Sequence, residues 1–323
     1  MLAVRCIAQS ADTPLAGLAL VECENPGVPV GWVRVWVRAA ALNHHDLWSL
    51  RGVGLDPGHL PMTLGCDAAG VLDDGSEVIV HSVIGDPEAG YGDETLDPHR
   101  TVLSERYQGT LAEQVIVPAR NTVAKPRSLS WEEAACLPTA WLTAYRMLTT
   151  RAGVTGPANV LVQGAGGGVA TAAIVLAKAL GHKVFCTSRD AARAARAIEL
   201  GADVAAEMGG RLPEKMDVVV ETVGQATWSH SLRALRPGGR VVVCGSTSGP
   251  NPPADLARLF FRQLSVVGST MGTRDELVGL INLLERSGAR PVIAGVRPLA
   301  EARRSFEQLA AGTSFGKLVV SVG

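Results

Sequence analysis

Hydrophobic positions change their spacing about 125 residues into this chain. Before that point, short apolar stretches of strand length are separated by turns rich in glycine, proline and aspartate, at residues 33–38, 69–72, 77–81 and 114–118. From residue 159 onwards, apolar strands alternate with stretches of helical spacing. The first pattern predicts a compact, mostly antiparallel, barrel-like unit. The second predicts an α/β unit with a right-handed parallel sheet.

The second pattern can be followed element by element. Apolar strands are predicted at residues 159–163, 183–187, 217–221, 240–244 and 264–268, and helices at residues 169–180 and 274–287. Ser130 and Glu133 have the spacing of a capping box at the start of an earlier helix. We expect strands at residues 291–296 and 317–322 to return to the first unit. The predicted domains are therefore residues 1–124 with 272–323, and residues 125–271.

A glycine turn joins the strand at 159–163 to the following helix. It contains Gly164, Gly166, Gly167 and Gly168, precedes Val169, and fits the pattern Gly164-x-x-Gly167-x-x-Ala170. Small residues there permit a tight turn and the close approach of a diphosphate, and the free N–H groups at the helix start meet phosphate charge. Because the turn lies between a strand and a helix, with the next strand at the right distance, it predicts a dinucleotide site.

The end of the second strand indicates which dinucleotide binds. An NAD site usually places a carboxylate there to accept a hydrogen bond from the ribose 2′-hydroxyl. Here Thr187, Ser188 and Arg189 stand at that point, Arg193 follows one turn later, and Asp190 comes one position too late. A hydroxyl followed by guanidinium groups suits a 2′-phosphate, which predicts NADP(H). The alternative is that both arginines only solvate a helix.

Composition excludes several classes of protein. A formal net charge of −1 over 323 residues gives no electrostatic case for nucleic acid or an anionic membrane. No apolar run approaches the roughly 18 residues of a membrane helix, and the first residues lack the pattern of a signal peptide. The six cysteines are scattered without a Cys-x-x-Cys pair. We therefore expect a cytoplasmic enzyme with reduced cysteines and a small-molecule substrate.

A series of short motifs occurs in a specific order along nearly the whole chain. They are Asn43-His44-His45-Asp46, Leu64-Gly65-Cys66-Asp67, Gly109-Thr110-Leu111-Ala112-Glu113, Leu142-Thr143-Ala144-Tyr145, the glycine turn, Gly201-Ala202-Asp203, Pro237-Gly238-Gly239 and Gly316-Lys317. In this order they resemble the medium-chain dehydrogenase/reductase superfamily, and most of all its zinc-independent quinone oxidoreductase (zeta-crystallin-like) branch. The resemblance implies a GroES-like β-rich catalytic domain, a Rossmann NADP-binding domain, and a homodimer formed through the edge strand at 264–268.

The residues at the zinc-ligand positions distinguish the branches of this superfamily. Zinc alcohol dehydrogenases of this superfamily hold the catalytic ion with Cys, His and Cys, and the matching positions here are Asn43, Cys66 and Thr139. A catalytic zinc site needs about three protein ligands of nitrogen or thiolate type, so we expect no metal. The segment 85–108 matches the structural zinc lobe but has no cysteine, and its acidic composition predicts a long solvated surface loop. Metal bound by His81, His99 and loop carboxylates is the alternative.

Without a Lewis acid, the substrate needs an acceptor that hydride reaches directly. A quinone or an α,β-unsaturated carbonyl qualifies, because hydrogen bonds can hold the developing enolate. We expect Asn43 to offer an amide donor to that oxyanion and His45 to act as the general acid, since imidazole titrates near neutral pH. If this segment is extended, His44 and His45 point to opposite sides. One or both could instead be surface or packing residues.

Other candidates have two interpretations. Cys66 is a reactive thiol beside the cleft or a small buried hydrophobe. Asp67 orients a donor in a polar network or caps a turn, and Trp48 lines the substrate pocket or packs in the core. By resemblance, further residues face the cofactor: His44 at the diphosphate, and Thr139, Cys244, Gly245, Ser246, Ser269 and Lys317 elsewhere.

The sequence thus predicts an NADPH-dependent reductase of quinones or activated alkenes. Two alternatives stay open: a zinc-type alcohol dehydrogenase, and a dinucleotide-binding redox sensor or structural protein with little turnover. The substrate is not determined by the sequence.

Overall fold

The computed structural model describes residues 1–323. The chain forms two compact units. The first unit comprises Met1–Leu142, Met271–Asn282 and Ile293–Gly323, and the second comprises Thr143–Thr270 and Leu283–Val292. No helix is long and apolar enough to cross a membrane.

The strands are, in chain order, β1 (Leu2–Cys6), β2 (Leu18–Glu22), β3 (Trp32–Ala41), β4 (Met62–Thr63), β5 (Asp67–Leu72), β6 (Glu77–Val80), β7 (Val83–Ile84), β8 (Thr101–Val102), β9 (Gln114–Pro118), β10 (Thr122–Ala124), β11 (Asn159–Val162), β12 (Lys183–Ser188), β13 (Val204–Glu207), β14 (Met216–Glu221), β15 (Leu235–Val243), β16 (Ser265–Gly268), β17 (Ile293–Pro298) and β18 (Lys317–Ser321). The α-helices are α1 (His44–Leu50), α2 (Trp131–Ala135), α3 (Leu142–Arg146), α4 (Gly168–Ala179), α5 (Ala191–Glu199), α6 (Gln225–Ala234), α7 (Leu256–Phe261), α8 (Arg274–Ser287) and α9 (Ala302–Ala310). Short π-helices at Leu137–Trp141 and Met147–Arg151 flank α3.

The first unit is built on a seven-stranded sheet in the order β10-β6-β5-β3-β18-β17, with β9 also paired to β3. Its pairs are antiparallel except β17 with β18. Leu64, Leu111 and Phe306 lie in one buried cluster with side chains from the sheet. The predicted barrel-like, mostly antiparallel unit is confirmed, and the C-terminal strand returns to it as expected.

The second unit is a six-stranded parallel sheet in the order β13-β12-β11-β14-β15-β16. The chain moves outwards from β11 in both directions, so the strand order reverses between β11 and β14. Phe185, Val219 and Val241 are buried in its core with Trp228 of α6. The predicted doubly wound parallel sheet is confirmed, and ligands of such sheets bind at this reversal, beyond the carboxyl ends of the strands.

Two features differ from the sequence predictions. The first unit extends to Leu142 rather than ending at residue 124, because α2 packs on β3 and β5. The segment 85–108 is not a solvated loop throughout: Glu94, Asp97 and Leu103 are buried. Backbone N–H groups of Asp86 and His99 donate to the Asp97 carboxylate, which offsets the cost of burying it. The capping box of Ser130 and Glu133 at the start of α2 is confirmed.

Candidate active site

Helix α1 begins directly after β3 and carries the predicted catalytic residues. Asn43 is its N-cap in an extended conformation, and its backbone N–H donates to Asp46 Oδ2 at 2.7 Å. His44 and His45 are therefore the first helical residues, and the segment is not extended. His44 is exposed, whereas His45 is partly buried. Trp48 lies on the same helix and is half-buried.

Asp46 joins α1 to the turn before Cys66. Its second oxygen, Oδ1, accepts from the backbone N–H of Gly65 at 2.9 Å, and its side chain is fully buried. Burial raises the pKa of the Asp46 carboxyl, although His45 and the Asn43 N–H partly offset this. Both carboxylate oxygens are thus committed to backbone donors on two different segments.

Three neighbouring strands bring together a lysine triad, formed by Asn43, Asp67 and Lys317. Lys317 Nζ donates to Asn43 Oδ1 at 2.6 Å, to Asp67 Oδ2 at 2.9 Å and to the carbonyl of Leu42 at 2.8 Å. The ammonium is 2% exposed and the carboxylate 0%. A buried charge is costly unless it is paired and hydrogen-bonded, and here all three donors of the ammonium have acceptors. Only Asp67 Oδ1 has no partner.

This triad changes the interpretation of two predicted site residues. Asn43 Nδ2 donates to Asp67 Oδ2 at 2.9 Å and to the carbonyl of Ala41 at 3.4 Å. Neither amide hydrogen is then left for a substrate oxyanion, so Asn43 is not placed as the predicted oxyanion donor. Lys317 likewise has its ammonium hydrogens committed within the first unit.

A second group, the histidine triad, comprises Glu105, His45 and Cys66. His45 Nε2 lies 3.1 Å from Glu105 Oε1, and His45 Nδ1 lies 3.3 Å from Cys66 Sγ. The Cys66 thiol also donates to the carbonyl of Leu103 at 3.2 Å. Glu105 Oε2 is held by the backbone N–H of Val102 at 3.0 Å. The carboxylate therefore fixes the orientation of the imidazole against the thiol.

The protonation of His45 follows from these neighbours. Burial alone lowers the pKa of His45, but Cys66, Glu105 and Asp46 outweigh it and hold the pKa well above its usual value. Burial raises the pKa of the Cys66 thiol despite the nearby imidazole. Cys66 makes the largest raising contribution to the pKa of His45, and the Glu105 and Asp46 carboxylates act in the same direction. These neighbours favour the protonated imidazole, which is the form that a proton donor needs.

The side chains at the positions of the zinc ligands are one amide, one thiol and one hydroxyl. The Asn43 side chain is hydrogen-bonded in the lysine triad, and the Cys66 thiol contacts His45 Nδ1. The Thr139 hydroxyl is buried and has no hydrogen-bond partner. A different set, His45, Asp46 and Cys66, places one nitrogen, oxygen and sulfur atom within 4.8 Å of one another. Each oxygen of Asp46 in this set also accepts one backbone N–H group, from Asn43 and from Gly65.

The glycine turn of the second unit has the shape expected of a phosphate cradle. Gly164 has φ +82°, a conformation that side chains with a Cβ rarely adopt. Gly167 is the N-cap of α4, and a Cβ there would meet nothing within 4 Å. Gly168 and Val169 open α4, and the first N–H groups of a helix have no acceptor within the helix itself. The residues present therefore fit a dinucleotide diphosphate.

The predicted 2′-phosphate residues lie beside this turn. Ser188 ends β12, and Arg193 lies so close to Gly166 that a Cβ on the glycine would meet the guanidinium at 2.9 Å. Arg189 is exposed. Asp190 Oδ1 accepts from the backbone N–H of Arg193 at 2.9 Å, as the cap of α5. The nearby carboxylate thus caps α5, and the Ser188 hydroxyl donates to the carbonyl of Asp190 at 2.8 Å.

Other predicted cofactor residues follow the next strands of the same sheet. Cys244, Gly245 and Ser246 come directly after β15, and Ser269 follows β16 with a buried hydroxyl that has no partner. Burial and the Glu221 carboxylate raise the pKa of the Cys244 thiol to about 12, so this thiol stays protonated. The sheet brings these residues to the edge where the glycine turn lies.

Sequence reasoning missed Glu105 altogether. It lies in the acidic segment 85–108, where nothing distinguishes it from its neighbours, and it meets His45 across 60 positions of chain. The sequence also indicated Lys317 as a cofactor contact, whereas its bonds are with Asn43 and Asp67.

Known proteins are similar to this chain over most of its length. The family model described as zinc-binding dehydrogenase matches residues 168–286, and that of the alcohol dehydrogenase GroES-like domain matches residues 29–127. The acryloyl-coenzyme A reductase of Sulfurisphaera tokodaii is 28% identical over 328 residues, covering 95% of this chain and 97% of the relative.

Solved structures agree with these matches. A crystal structure of an NAD-dependent alcohol dehydrogenase superposes with a TM-score of 0.92 at 33% identity, covering 100% of both chains. The 2-octenoyl-CoA carboxylase reductase CinF, in complex with NADP and 2-octenoyl-CoA, superposes with a TM-score of 0.89 at 26% identity, covering 99% of this chain and 87% of that one. This chain therefore belongs to the medium-chain dehydrogenase/reductase superfamily and has its GroES-like and Rossmann domains.

Proposed function

We propose that this chain reduces an α,β-unsaturated carbonyl compound or a quinone with NADPH, without a metal ion. That the chain is an NAD(P)-dependent oxidoreductase follows from its family. The choice of NADPH, of the substrate class and of chemistry without a metal rests on the residues of the two units.

The lysine triad is the observation that carries the proposal. At the position where zinc relatives have their first cysteine ligand, Asn43 binds the Lys317 ammonium. The positive charge at this position is thus the Lys317 ammonium, and its three hydrogens are all donated to oxygen acceptors. A substrate that needs its carbonyl polarised by a metal has no suitable ligand set, whereas a conjugated acceptor takes hydride directly.

His45 is the proposed proton donor. The bound nicotinamide supplies the hydride, and a conjugated acceptor then needs one proton from the protein. The raised pKa of His45 favours the protonated imidazole, and 20% of its side chain is exposed, as a proton donor requires. Glu105 orients the imidazole, while Cys66 contacts its other nitrogen. Asp67 and Asn43 position the end of β3 and the start of α1.

NADPH is proposed over NADH because of the groups beyond β12. Ser188 ends β12 and Arg193 overlies Gly166, so both lie beside the glycine turn, whereas Asp190 caps α5. The complex of CinF with NADP supports the same choice. We expect the 2′-phosphate to lie between Arg193 and Ser188.

The names of relatives favour activated alkenes over quinones within this proposal. Acryloyl-coenzyme A reductases of Sulfurisphaera tokodaii and Metallosphaera sedula, and the crotonyl-CoA carboxylase/reductase of Cereibacter sphaeroides, all carry names of α,β-unsaturated thioester chemistry. A thioester-conjugated alkene is therefore the first substrate class to try, with simple enones and quinones next.

The test is an NADPH oxidation assay on chelator-treated protein whose metal content has been measured. Crotonyl-CoA, a simple enone and 1,4-benzoquinone would each be supplied, together with an aldehyde as the substrate of the zinc alternative. We expect turnover of at least one conjugated acceptor at less than about 0.1 zinc per chain, since a catalytic ion would be stoichiometric. Activity on the aldehyde alone, restored only by added zinc, would reject the proposal.

A zinc-type alcohol dehydrogenase is the second candidate. It is favoured by the cluster of His45, Asp46 and Cys66 and by relatives named as alcohol dehydrogenases. Asp46 would then have to bind the ion while its two oxygens also accept the backbone N–H groups of Asn43 and Gly65.

We further propose a homodimer formed through the edge of the parallel sheet. Strand β16 is the outermost strand on its side and Val266 is exposed on it. Preceding it, α7 presents Leu256, Phe260 and Phe261 at 64–77% exposure. Contiguous apolar surface of this kind marks an interaction site.

A further inference from the structure

Gln163 forms hydrogen bonds on both sides of its amide beneath the glycine turn. It is fully buried and directly precedes Gly164. Its Oε1 accepts from the Thr187 hydroxyl at 2.7 Å, and its Nε2 donates to the Ser231 hydroxyl and to His230 Nδ1, both at 2.9 Å. The Gln163 amide, which directly follows β11, thus links Thr187 at the end of β12 to His230 and Ser231 in α6.

On one side the chain of hydrogen bonds reaches the glycine turn itself. Thr187 Oγ1 accepts from the backbone N–H of Gly164 at 3.2 Å. Thr187 is also fully buried, immediately before Ser188 and Arg189. The first N–H of the turn and the end of β12 are therefore joined through one hydroxyl that Gln163 orients.

On the other side the chain reaches Glu221 at the end of β14. The Ser231 hydroxyl donates to Glu221 Oε2 at 2.6 Å, and Thr227 donates to the same carboxylate at 2.9 Å. Backbone N–H groups of Val223 and Gly224 donate to Glu221 Oε1 at 2.8 and 3.0 Å. The carboxylate thereby holds the turn after β14, the strand beside the reversal in strand order.

We propose that Gln163 is a positioning residue for NADP(H), which locks the turns after β11, β12 and β14 into one rigid edge before the dinucleotide binds. It contacts no part of the cofactor in this role. It acts by fixing Thr187 and, through Ser231, Glu221. The inference concerns nucleotide affinity alone, so it stands or falls independently of the substrate proposed above.

The physical basis is preorganisation. Turns that are already ordered lose less conformational freedom when the phosphate groups arrive, and that saving appears as affinity. A buried network satisfied at every member also restricts its alternatives, because any rearrangement leaves a polar group unpaired. Replacing Gln163 with leucine removes the donor and acceptor at similar volume. Thr187 and Ser231 are then free to reorient.

The experiment measures NADPH dissociation constants by nucleotide fluorescence for the intact protein and for Gln163→Leu. We expect about tenfold weaker binding in the variant, with kcat at saturating NADPH within about twofold, since about 1.4 kcal/mol corresponds to one decade. The matched control is Asn159→Leu, at the opposite end of β11, where the amide donates to Glu214 and to the carbonyl of Lys215. We expect Asn159→Leu to lower the free energy of unfolding and to leave the NADPH dissociation constant unchanged.

Substitutions of Thr187 provide a second, independent test. Thr187→Val removes the hydroxyl and Thr187→Ser keeps it, so weak binding in the first and native binding in the second would support the proposal. In the double variant with Gln163→Leu, the loss from Thr187→Val should be less than additive, because both act on one chain of bonds. Native affinity in Gln163→Leu would overturn the inference. If that variant does not fold, native affinity in Thr187→Val would overturn it equally.

Discussion

The carboxylate of Glu105 lies 3.1 Å from Nε2 of His45. The other ring nitrogen of His45, Nδ1, faces Cys66. His45 opens α1, whereas Glu105 comes from the acidic segment 85–108. The contact does two things at once. It sets the direction of the imidazole ring, and it stabilises the protonated form.

Glu105→Gln should therefore change the pH dependence of turnover. In the proposed role His45 donates the proton, so the rate should fall as pH rises through its pKa, which lies well above the usual value. Removing the carboxylate lowers that pKa, and we expect the alkaline limb of the kcat/KM profile to move to lower pH. The measurement is a profile for both proteins, with Glu88→Gln, at an exposed position, as the control. Superimposable profiles would show that His45 is not the titrating acid.

Lys317→Met should be strongly destabilising. It leaves the Asp67 carboxylate buried without a cation, and breaking a buried pair in this way costs about 3–5 kcal/mol. Urea unfolding followed by fluorescence measures the loss. Lys178→Met is the control, since Lys178 pairs with Asp203 at the surface of the second unit and such pairs contribute less than about 1 kcal/mol. Equal losses in the two variants would contradict the importance assigned to the lysine triad.

Arg193→Ala should weaken NADPH binding far more than NADH binding. A charge-assisted hydrogen bond contributes about 1.5–3 kcal/mol, so we expect a roughly 10- to 100-fold rise in the NADPH dissociation constant. Titration with each nucleotide separates the 2′-phosphate from the rest of the cofactor. Arg211→Ala, an exposed arginine on the loop before β14, is the control. A parallel loss for both nucleotides would instead assign Arg193 to the glycine turn, which it overlies.

Phe261→Asp should convert the proposed dimer into monomers. Phe261 is 77% exposed on α7 and would be desolvated against a second copy, where an aspartate carries a large penalty. Sedimentation velocity at several concentrations gives the mass of each species. Tyr91→Asp changes an exposed aromatic residue of the first unit and should leave the oligomeric state unaltered. A monomeric unsubstituted protein would remove the basis of this prediction.

Local patterns explain how much of this fold could be predicted. The strand at Gln114–Pro118 and the helix at Arg274–Ser287 have the predicted bounds. Each rests on apolar periodicity within a short stretch of chain. The glycine turn was equally predictable, because its backbone conformation requires small residues at defined positions. The boundary between the units was less predictable from the sequence, because α2 belongs to the first unit through packing on strands that are distant in the chain.

The candidate site shows the limit of such patterns. Asn43, His45, Cys66 and Asp67 could be singled out from their motifs, yet Asn43 has no amide hydrogen free for the predicted role. Lys317 meets Asn43 across 274 positions, and that meeting is set by the pairing of β18 with β3.

The order of elements, the two kinds of sheet and the dinucleotide turn can be predicted from the sequence, because they depend on residues close together in the chain. The contacts of Glu105 with His45 and of Lys317 with Asp67 appear only in the folded chain. Those contacts depend on strand register and on the path of a buried loop, which bring together side chains whose local sequence carries no sign of their partner.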